Sequence, residues 1–232
     1  MRAYVLHHYP YRETSLMADL FTLEQGRVRV VARGHRKNAR QPLSLFVPLW
    51  VECRGQHALR TLCTAEAQAP SFALGGQLWL SGMYLNELLL RLVAEGDAVP
   101  ELFCLYEQTL ARLTTETDAA WVLRCFEKHL LRLLGFALPL TAEGLTGSPL
   151  QAEQHYIFDR EHGFIALNEQ QHATYAAKNV FRGVSLLALA DEILYDTAVL
   201  SELKVLSHTA LAHLLGSTPL KTRKLAQRWY KN

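Results

Sequence analysis

The apolar period of this chain changes once, and that change restricts its possible folds more than any single motif does. Up to about residue 67, apolar and polar side chains tend to alternate; from residue 78 the apolar ones recur three and four apart. A strand sends successive side chains to opposite faces, whereas a helix stacks i, i+3 and i+4 on one face. The chain therefore opens as β structure and continues as helix. Between the two, residues 69–76 hold Pro70, Ser71, Gly75 and Gly76, which interrupt both periods as a linker does. Two domains are expected, 1–70 and 77–232.

In the first of these, five short strands are expected at residues 2–8, 15–22, from 26 onward, 45–54 and 58–67, with turns at 9–13, 24–26 and 55–56. Short strands joined by short turns in so small a segment suit a small barrel. The size matches an OB-fold, whose outer groove often binds single strands of nucleic acid; an SH3-like barrel is the structural rival.

The third strand is the most informative. GRVRVVARGHRKNAR, residues 26–40, places Arg27, Arg29 and Arg33 on one side of an extended chain and Val28, Val30 and Ala32 on the other. A short basic loop follows, with His35, Arg36, Lys37, Asn38 and Arg40. Cations in this arrangement suit the phosphates of a polyanion. They also suit an edge strand that carries charge to block edge-to-edge pairing. Tyr4, Tyr9, Tyr11 and Phe46 are candidate rings for base stacking, and each has an alternative use in packing.

Helices are expected at 78–94, at 101–113 after Pro100, and at 119–134 capped by Thr117 or Asp118. Residues 136–167 lose the helical period, and 155–159 with 163–166 read as a hairpin. Helices are also expected within 168–178, at 186–190 and at 200–215. A last helix is expected with Thr218 as N-cap and Pro219 in the first turn. It would carry Lys221, Lys224 and Arg228 on one face, with Leu225 and Trp229 packed on the other.

Hydrophobic residues make up 50% of the chain and charged residues 20%, which excludes a disordered polyelectrolyte. The net charge of +2 hides an asymmetry: residues 1–60 carry ten Lys/Arg against four Asp/Glu, and residues 216–232 carry five against none. Residues 61–215 reverse this, with nine against eighteen. Basic ends around an acidic middle hint at nucleic-acid contact. Cys53, Cys63, Cys104 and Cys125 form no CxxC pair, and their mostly apolar neighbours suggest buried thiols in a reducing cytoplasm. No apolar run reaches the length of a membrane span, and no signal peptide is visible. HExxH, GxSxG and P-loop patterns are absent, so no catalytic residues are assigned. Glu192 and Asp196 could sit one helical turn apart and hold Mg²⁺, but acids near a helix start are the commoner explanation.

Three segments, in order, resemble a known family. ETSLMADLFTLEQGRVRVVARGHR (13–36), LSGMYLNELLLRLV (80–93) and TPLKTRKLAQRWY (218–230) are similar to segments of the bacterial recombination mediator family RecO. The resemblance implies an α+β chain: an N-terminal five-stranded OB-fold barrel, then a mainly α-helical domain with a small β-hairpin. It implies a cytoplasmic protein, nucleoid-associated during repair, that binds single- and double-stranded DNA and anneals complementary strands without hydrolysis. Its implied partners are the C-terminal tail of the single-strand-binding protein SSB, RecR and, indirectly, RecA. With the resemblance, Arg27, Arg29, Arg33, His35, Arg36, Lys37 and Arg40 become candidate DNA contacts, with Lys221, Arg223, Lys224 and Arg228 as a second group. The acidic, Phe-ended SSB tail would dock on Tyr106, Leu110, Trp121, Arg124 and Lys128, with the Arg124 fork taking the terminal carboxylate.

Two departures from the family bear on these expectations. Many members carry a four-cysteine zinc site after the third helix, but residues 136–164 here contain no cysteine, and only His155 and His162 as histidines. Four N or S ligands are needed for structural zinc, so no zinc and no other cofactor is expected. The loop after Arg33 is also short, whereas other members can carry a longer basic insert, which bears on how strongly this loop would contact DNA. Two other readings remain: an OB-fold adaptor that binds only proteins, and a metal-dependent nuclease.

Overall fold

A computed structural model describes residues 1–34, 43–55, 59–168, 175, 179–194 and 196–229, the Trp229 side chain excepted. Among these residues there are eight strands and six helices. They form two compact units: Met1–Thr117 together with Thr218–Asn232, and Asp118–Ser217.

The first unit is built on a barrel of β1 (Arg2–Tyr11), β2 (Ser15–Thr22), β3 (Gly26–Ala32), β4 (Leu49–Arg54) and β5 (Leu59–Ala67). The order is β1-β2-β3-β5-β4, with β3 and β5 parallel and β4 closing onto β1 through Arg2↔Trp50 and Ala3↔Leu49. This is the five-stranded OB-type barrel. Alternation builds its core: Val28, Val30 and Ala32 of β3 are buried with Val5, Ala18, Leu20, Val51 and Leu62. Each Val or Leu so buried contributes roughly 1.5–3 kcal/mol.

Two strand boundaries differ from expectation. β1 runs on to Tyr11, pairing Tyr9↔Met17, Pro10↔Leu16 and Tyr11↔Ser15. Pro10 is tolerated because β4 pairs only with Arg2 and Ala3, leaving this end of β1 bonded on one side. β4 starts at Leu49 rather than at residue 45. Phe46 has φ 61 and Pro48 offers no amide donor, so the chain cannot pair there.

Helices α1 (Gln77–Leu92) and α2 (Pro100–Thr115) complete this unit with α6 (Lys221–Trp229). Tyr4 of β1 and Phe21 of β2 stack against Phe103 and Tyr106 of α2, with centroids 5.2–6.1 Å apart. Gly26 allows the α1–α2 connection to lie against β3: a Cβ at this position, whose φ is +61°, would stand 1.8 Å from the Asp97 carbonyl oxygen. The last helix begins two residues later than Pro219 suggests. Its first amides are capped by Glu87 of α1, which accepts from Lys221 N at 2.7 Å, Thr222 N at 2.9 Å and Thr222 Oγ1 at 2.6 Å. Thr218 instead uses its carbonyl, accepting from Arg91 at 2.6 Å. Leu225 is 49% exposed rather than packed, because Leu220 and Thr222 form the buried side.

The second unit contains α3 (Ala119–Leu133), an antiparallel sheet of β6 (His155–Asp159), β7 (Gly163–Ala166) and β8 (Val180–Arg182) in the order β7-β6-β8, then α4 (Gly183–Asp191) and α5 (Val199–Leu215). Asp118 caps α3, accepting from Trp121 N at 3.0 Å. Trp121, Cys125, Tyr156, Phe164, Phe181, Leu189 and Leu203 share its core. Most of the helix expected within 168–178 lies outside the described residues; β8 adds a third strand to the hairpin. Glu143 organises the preceding loop. Its carboxylate accepts from the amides of Leu145, Thr146 and Ala166 and from the Thr146 hydroxyl. Burial of the thiols is mixed: Cys125 is buried, Cys53 half-buried, and Cys63 and Cys104 are exposed on strand and helix surfaces, where their neighbours in sequence are not their neighbours in space.

Candidate nucleic-acid interface

The outward face of β1, β2 and β3 is divided along its length. Its lower half, with Tyr4 and Phe21, is covered by α2. Above the bulge at Leu6, the register sets His7 opposite Asp19, Tyr9 opposite Met17 and Tyr11 opposite Ser15. β3 continues the same rows with Asp19↔Arg29 and Met17↔Val31, and β5 with Arg29↔Leu59 and Val31↔Thr61. This half stays open: Tyr9 is 38% exposed and Leu59 43%. Strand pairing, not closeness in sequence, therefore brings the rings of β1 and the arginine of β3 onto one curved surface.

A cleft of about 750 Å³ opens at the end of this face. The β1–β2 turn supplies Tyr11, Arg12, Glu13 and Thr14; the end of β3 supplies Val31 and Arg33; the start of β5 supplies Leu59, Arg60 and Thr61. Arg12 takes φ 53 in the tight turn, and its guanidinium stands over the Tyr11 ring, 5.2 Å from the centroid. Arg60 donates to the side chain of Gln25. The cleft thus joins three guanidinium groups to an aromatic ring and two aliphatic side chains, Val31 and Leu59, with Glu13 as its one acid. It lies at the β1–β2 turn, one of the two loops by which OB-folds commonly hold oligonucleotides.

The three expected strand arginines have unequal surroundings. Arg27 is held inside: its side chain is 14% exposed, its Nε donates to the Val93 carbonyl at 3.0 Å, and its Nη1 lies 3.2 Å from Glu95 and 3.6 Å from Asp19. Arg29 is 38% exposed, with Nε 2.9 Å from Asp19 and Nη2 3.3 Å from Glu95. The hydrogen bond to Asp19 raises the Arg29 pKa further, against a smaller opposing effect of burial. Arg33 is exposed at the cleft. His35, Arg36, Lys37 and Arg40 lie outside the described residues. Of the candidate rings, Tyr4 and Phe46 are buried at 1% and 3%, so they cannot meet a base, whereas Tyr9 and Tyr11 reach the open face. Arg12 and Arg60 had no signal in the sequence beyond their charge. Their position follows only once the strand order brings the first turn and the start of β5 beside β3.

On α6, Lys221, Lys224 and Arg228 are exposed along one side, while Arg223 turns inward over the Tyr84 ring, 5.9 Å from its centroid. The residues expected to take a protein tail fall in different units. In the first, Tyr106 is fully buried and its hydroxyl donates to Asn86; Leu110 is fully buried as well. In the second, Trp121 is 5% exposed, and Arg124 is 6% exposed with its Nη2 2.7 Å from the fully buried Glu127. Lys128 donates to the carbonyls of Leu189 and Ala190 and pairs with Glu192 at 2.5 Å. Glu192 follows the end of α4 in the left-handed conformation, its carboxylate turned onto Lys128 and His129, so the one-turn Glu192–Asp196 pair does not form. Among the described residues no group of three metal-ligating side chains comes together, and no helix is long and apolar enough to cross a membrane.

Residues 1–70 match the family profile described as Recombination protein O N terminal, and residues 76–224 match Recombination protein O C terminal. The chain is 39% identical over 226 residues to a DNA repair protein RecO of Coxiella burnetii, covering 96% of this chain and 95% of that one. It is 40% identical over 228 residues to the protein of the same name from Nitrosococcus oceani, covering 97% and 91%. With that of Pseudomonas paraeruginosa it shares 39% over 222 residues, covering 96% and 92%.

Proposed function

This chain belongs to the recombination protein O family, and from that premise we propose that it is a DNA-repair protein whose barrel binds single-stranded DNA along the open face of β1, β2, β3 and β5. The observation that carries the reading is the cleft where Arg12, Arg33 and Arg60 meet Tyr11 and Leu59. Arginine forks suit phosphate oxygens, and rings and apolar side chains suit the faces of unpaired bases. A duplex offers its phosphates but hides those faces, so single strands gain an added contribution here. Exposed Lys221, Lys224 and Arg228 on α6 form a second candidate phosphate surface in the same compact unit. Arg27 on β3 and Arg223 on α6 are not offered as direct phosphate contacts, since both guanidinium groups are turned inward.

Strand annealing, engagement of the SSB tail and RecR, and support of RecA loading follow from the family resemblance. In the second unit, capture of a tail carboxylate by Arg124 requires exchanging Glu127 for an outside acid. That exchange is costly, because it leaves a buried carboxylate without its cation. On the same reading the protein works in the cytoplasm, on DNA that it does not hydrolyse.

Titration of a labelled single-stranded oligonucleotide and its duplex over a range of salt concentrations tests the reading. Binding that weakens steeply with salt and favours the single strand supports it. Cleavage in Mg²⁺, or binding of protein partners without any salt-sensitive DNA binding, overturns it.

A further inference from the structure

The outward face of β3 carries a built anion site, and the chain fills it with its own carboxylate. Arg27 and Arg29 stand two residues apart on one face, and both reach Glu95, at 3.2 Å from Nη1 and 3.3 Å from Nη2. A carboxylate shared by two guanidinium groups occupies the position that a phosphate oxygen takes in a nucleic-acid complex. Resting on the single-strand reading above, we propose that Glu95 is an internal competitor for backbone phosphate, and that a bound strand gains Arg29 by displacing the Glu95 side chain.

The two acids at this site are not equivalent. Asp19 lies on β2 directly opposite Arg29, its side chain is 7% exposed, and it holds Arg29 Nε at 2.9 Å. It cannot leave without uncovering a buried charge. Glu95 is 34% exposed and lies on the connection between α1 and α2. The backbone of that connection is fixed to β3. Gly96 N donates to the Arg27 carbonyl at 2.9 Å, Arg27 Nε returns a bond to the Val93 carbonyl at 3.0 Å, and Asp97 is packed against Gly26. Only the Glu95 side chain has to swing out: with Arg29 it makes a partly exposed pair of the weak kind, and Arg27 keeps its bond to the Val93 carbonyl. Once it has swung, Asp19 still neutralises the inner side of both arginines, and Arg29 presents Nη2 to solvent.

The consequence is selectivity. An isolated anion meets a site that is already filled and gains little by exchange. A phosphodiester chain that also touches Arg33 and Arg12 gains enough neighbouring contacts to displace one weakly held carboxylate.

The test compares Glu95→Gln with wild type in binding labelled oligo(dT) over a salt series. Glu66→Gln, which removes the same charge from an exposed position on β5, is the control for net charge. The proposal predicts several-fold tighter binding for Glu95→Gln at low salt. The log–log salt slope should stay near that of wild type, because a bound strand reaches Arg29 in both proteins and only the displacement of Glu95 is saved. It also predicts that Arg29→Gln removes the gain when combined with Glu95→Gln, whereas Glu66→Gln gives no comparable gain. An affinity of Glu95→Gln equal to that of wild type, or an equal gain from Glu66→Gln, overturns the competitor and leaves the interface standing. Absence of wild-type oligo(dT) binding at low salt overturns the interface, and the competitor with it.

Discussion

Asn86 of α1 donates its side-chain amide to the carbonyl of Leu6 in β1, at 2.9 Å. Leu6 is the residue that the bulge between Val5 and His7 leaves without a partner in the β1–β2 ladder, and it is fully buried. The Asn86 carbonyl in turn accepts from the Tyr106 hydroxyl at 2.6 Å. A helix side chain therefore completes a barrel strand, and a second helix orients that side chain. Burial first, and then the neighbouring Tyr4, push the Tyr106 hydroxyl pKa well above its ordinary value, so the group stays a donor at all working pH. Asn86→Leu strands both the Leu6 carbonyl and the Tyr106 hydroxyl, and the expected loss is roughly 2–4 kcal/mol in urea unfolding. Tyr106→Phe removes only one bond and should cost about 1 kcal/mol.

Gly26→Ala should be more damaging than its size suggests. The new methyl would need a positive φ and would collide with the Asp97 carbonyl, a backbone atom that cannot swing aside. A loss of about 3 kcal/mol is expected from thermal unfolding. Gly34→Ala serves as the comparison: it also has positive φ, but meets nothing within 4 Å, so it should cost about 1 kcal/mol.

Glu143 gives the second unit a dependence on acid. The Thr146 hydroxyl first, then the backbone amides of Thr146, Ala166 and Leu145, hold its pKa below the ordinary value of 4.5. A folded pKa below the unfolded one contributes stability that is present in full above the unfolded value and lost as pH falls through the folded one. Glu143→Gln should therefore destabilise this unit at pH 7 by roughly 2 kcal/mol, and progressively less as pH falls through the folded pKa. Unfolding followed by circular dichroism at pH 7 and over an acid series checks the sign.

Much of the fold was legible in the chain, for identifiable reasons. β2 and the 155–159/163–166 hairpin match expectation because short apolar runs lie between clear polar or glycine turns. The start of β4 was misplaced because Leu45 and Phe46 extend an apolar pattern that Pro48 cuts short. The cap of α6 was misread because Glu87 lies 134 positions away from Lys221, and no local rule sees it. The candidate interface was legible only in its β3 part. Charge alternation marks Arg27 and Arg29 as outward, but it does not show that Asp19 and Glu95 meet them there. Arg12 and Arg60 join the cleft through strand order, which depends on long-range pairing.

Glu87→Ala should loosen α6 from α1 without unfolding the barrel. Two backbone amides and the Thr222 hydroxyl lose their acceptor, an effect of about 1–2 kcal/mol confined to this helix. Faster amide exchange in residues 221–228, with barrel strands unchanged, is the expected signature.

The most direct test reverses charge at the cleft: Arg12→Glu with Arg33→Glu, measured against labelled single-stranded DNA over a salt series, with circular dichroism confirming the fold. Both cations lie at the cleft edge, exposed and away from the barrel core. The predicted result is at least about a tenfold loss of affinity at low salt, with the log–log salt slope shallower by about 1.4 for two lost phosphate contacts. An affinity and slope equal to wild type in a folded double variant would contradict the assignment of this face to DNA.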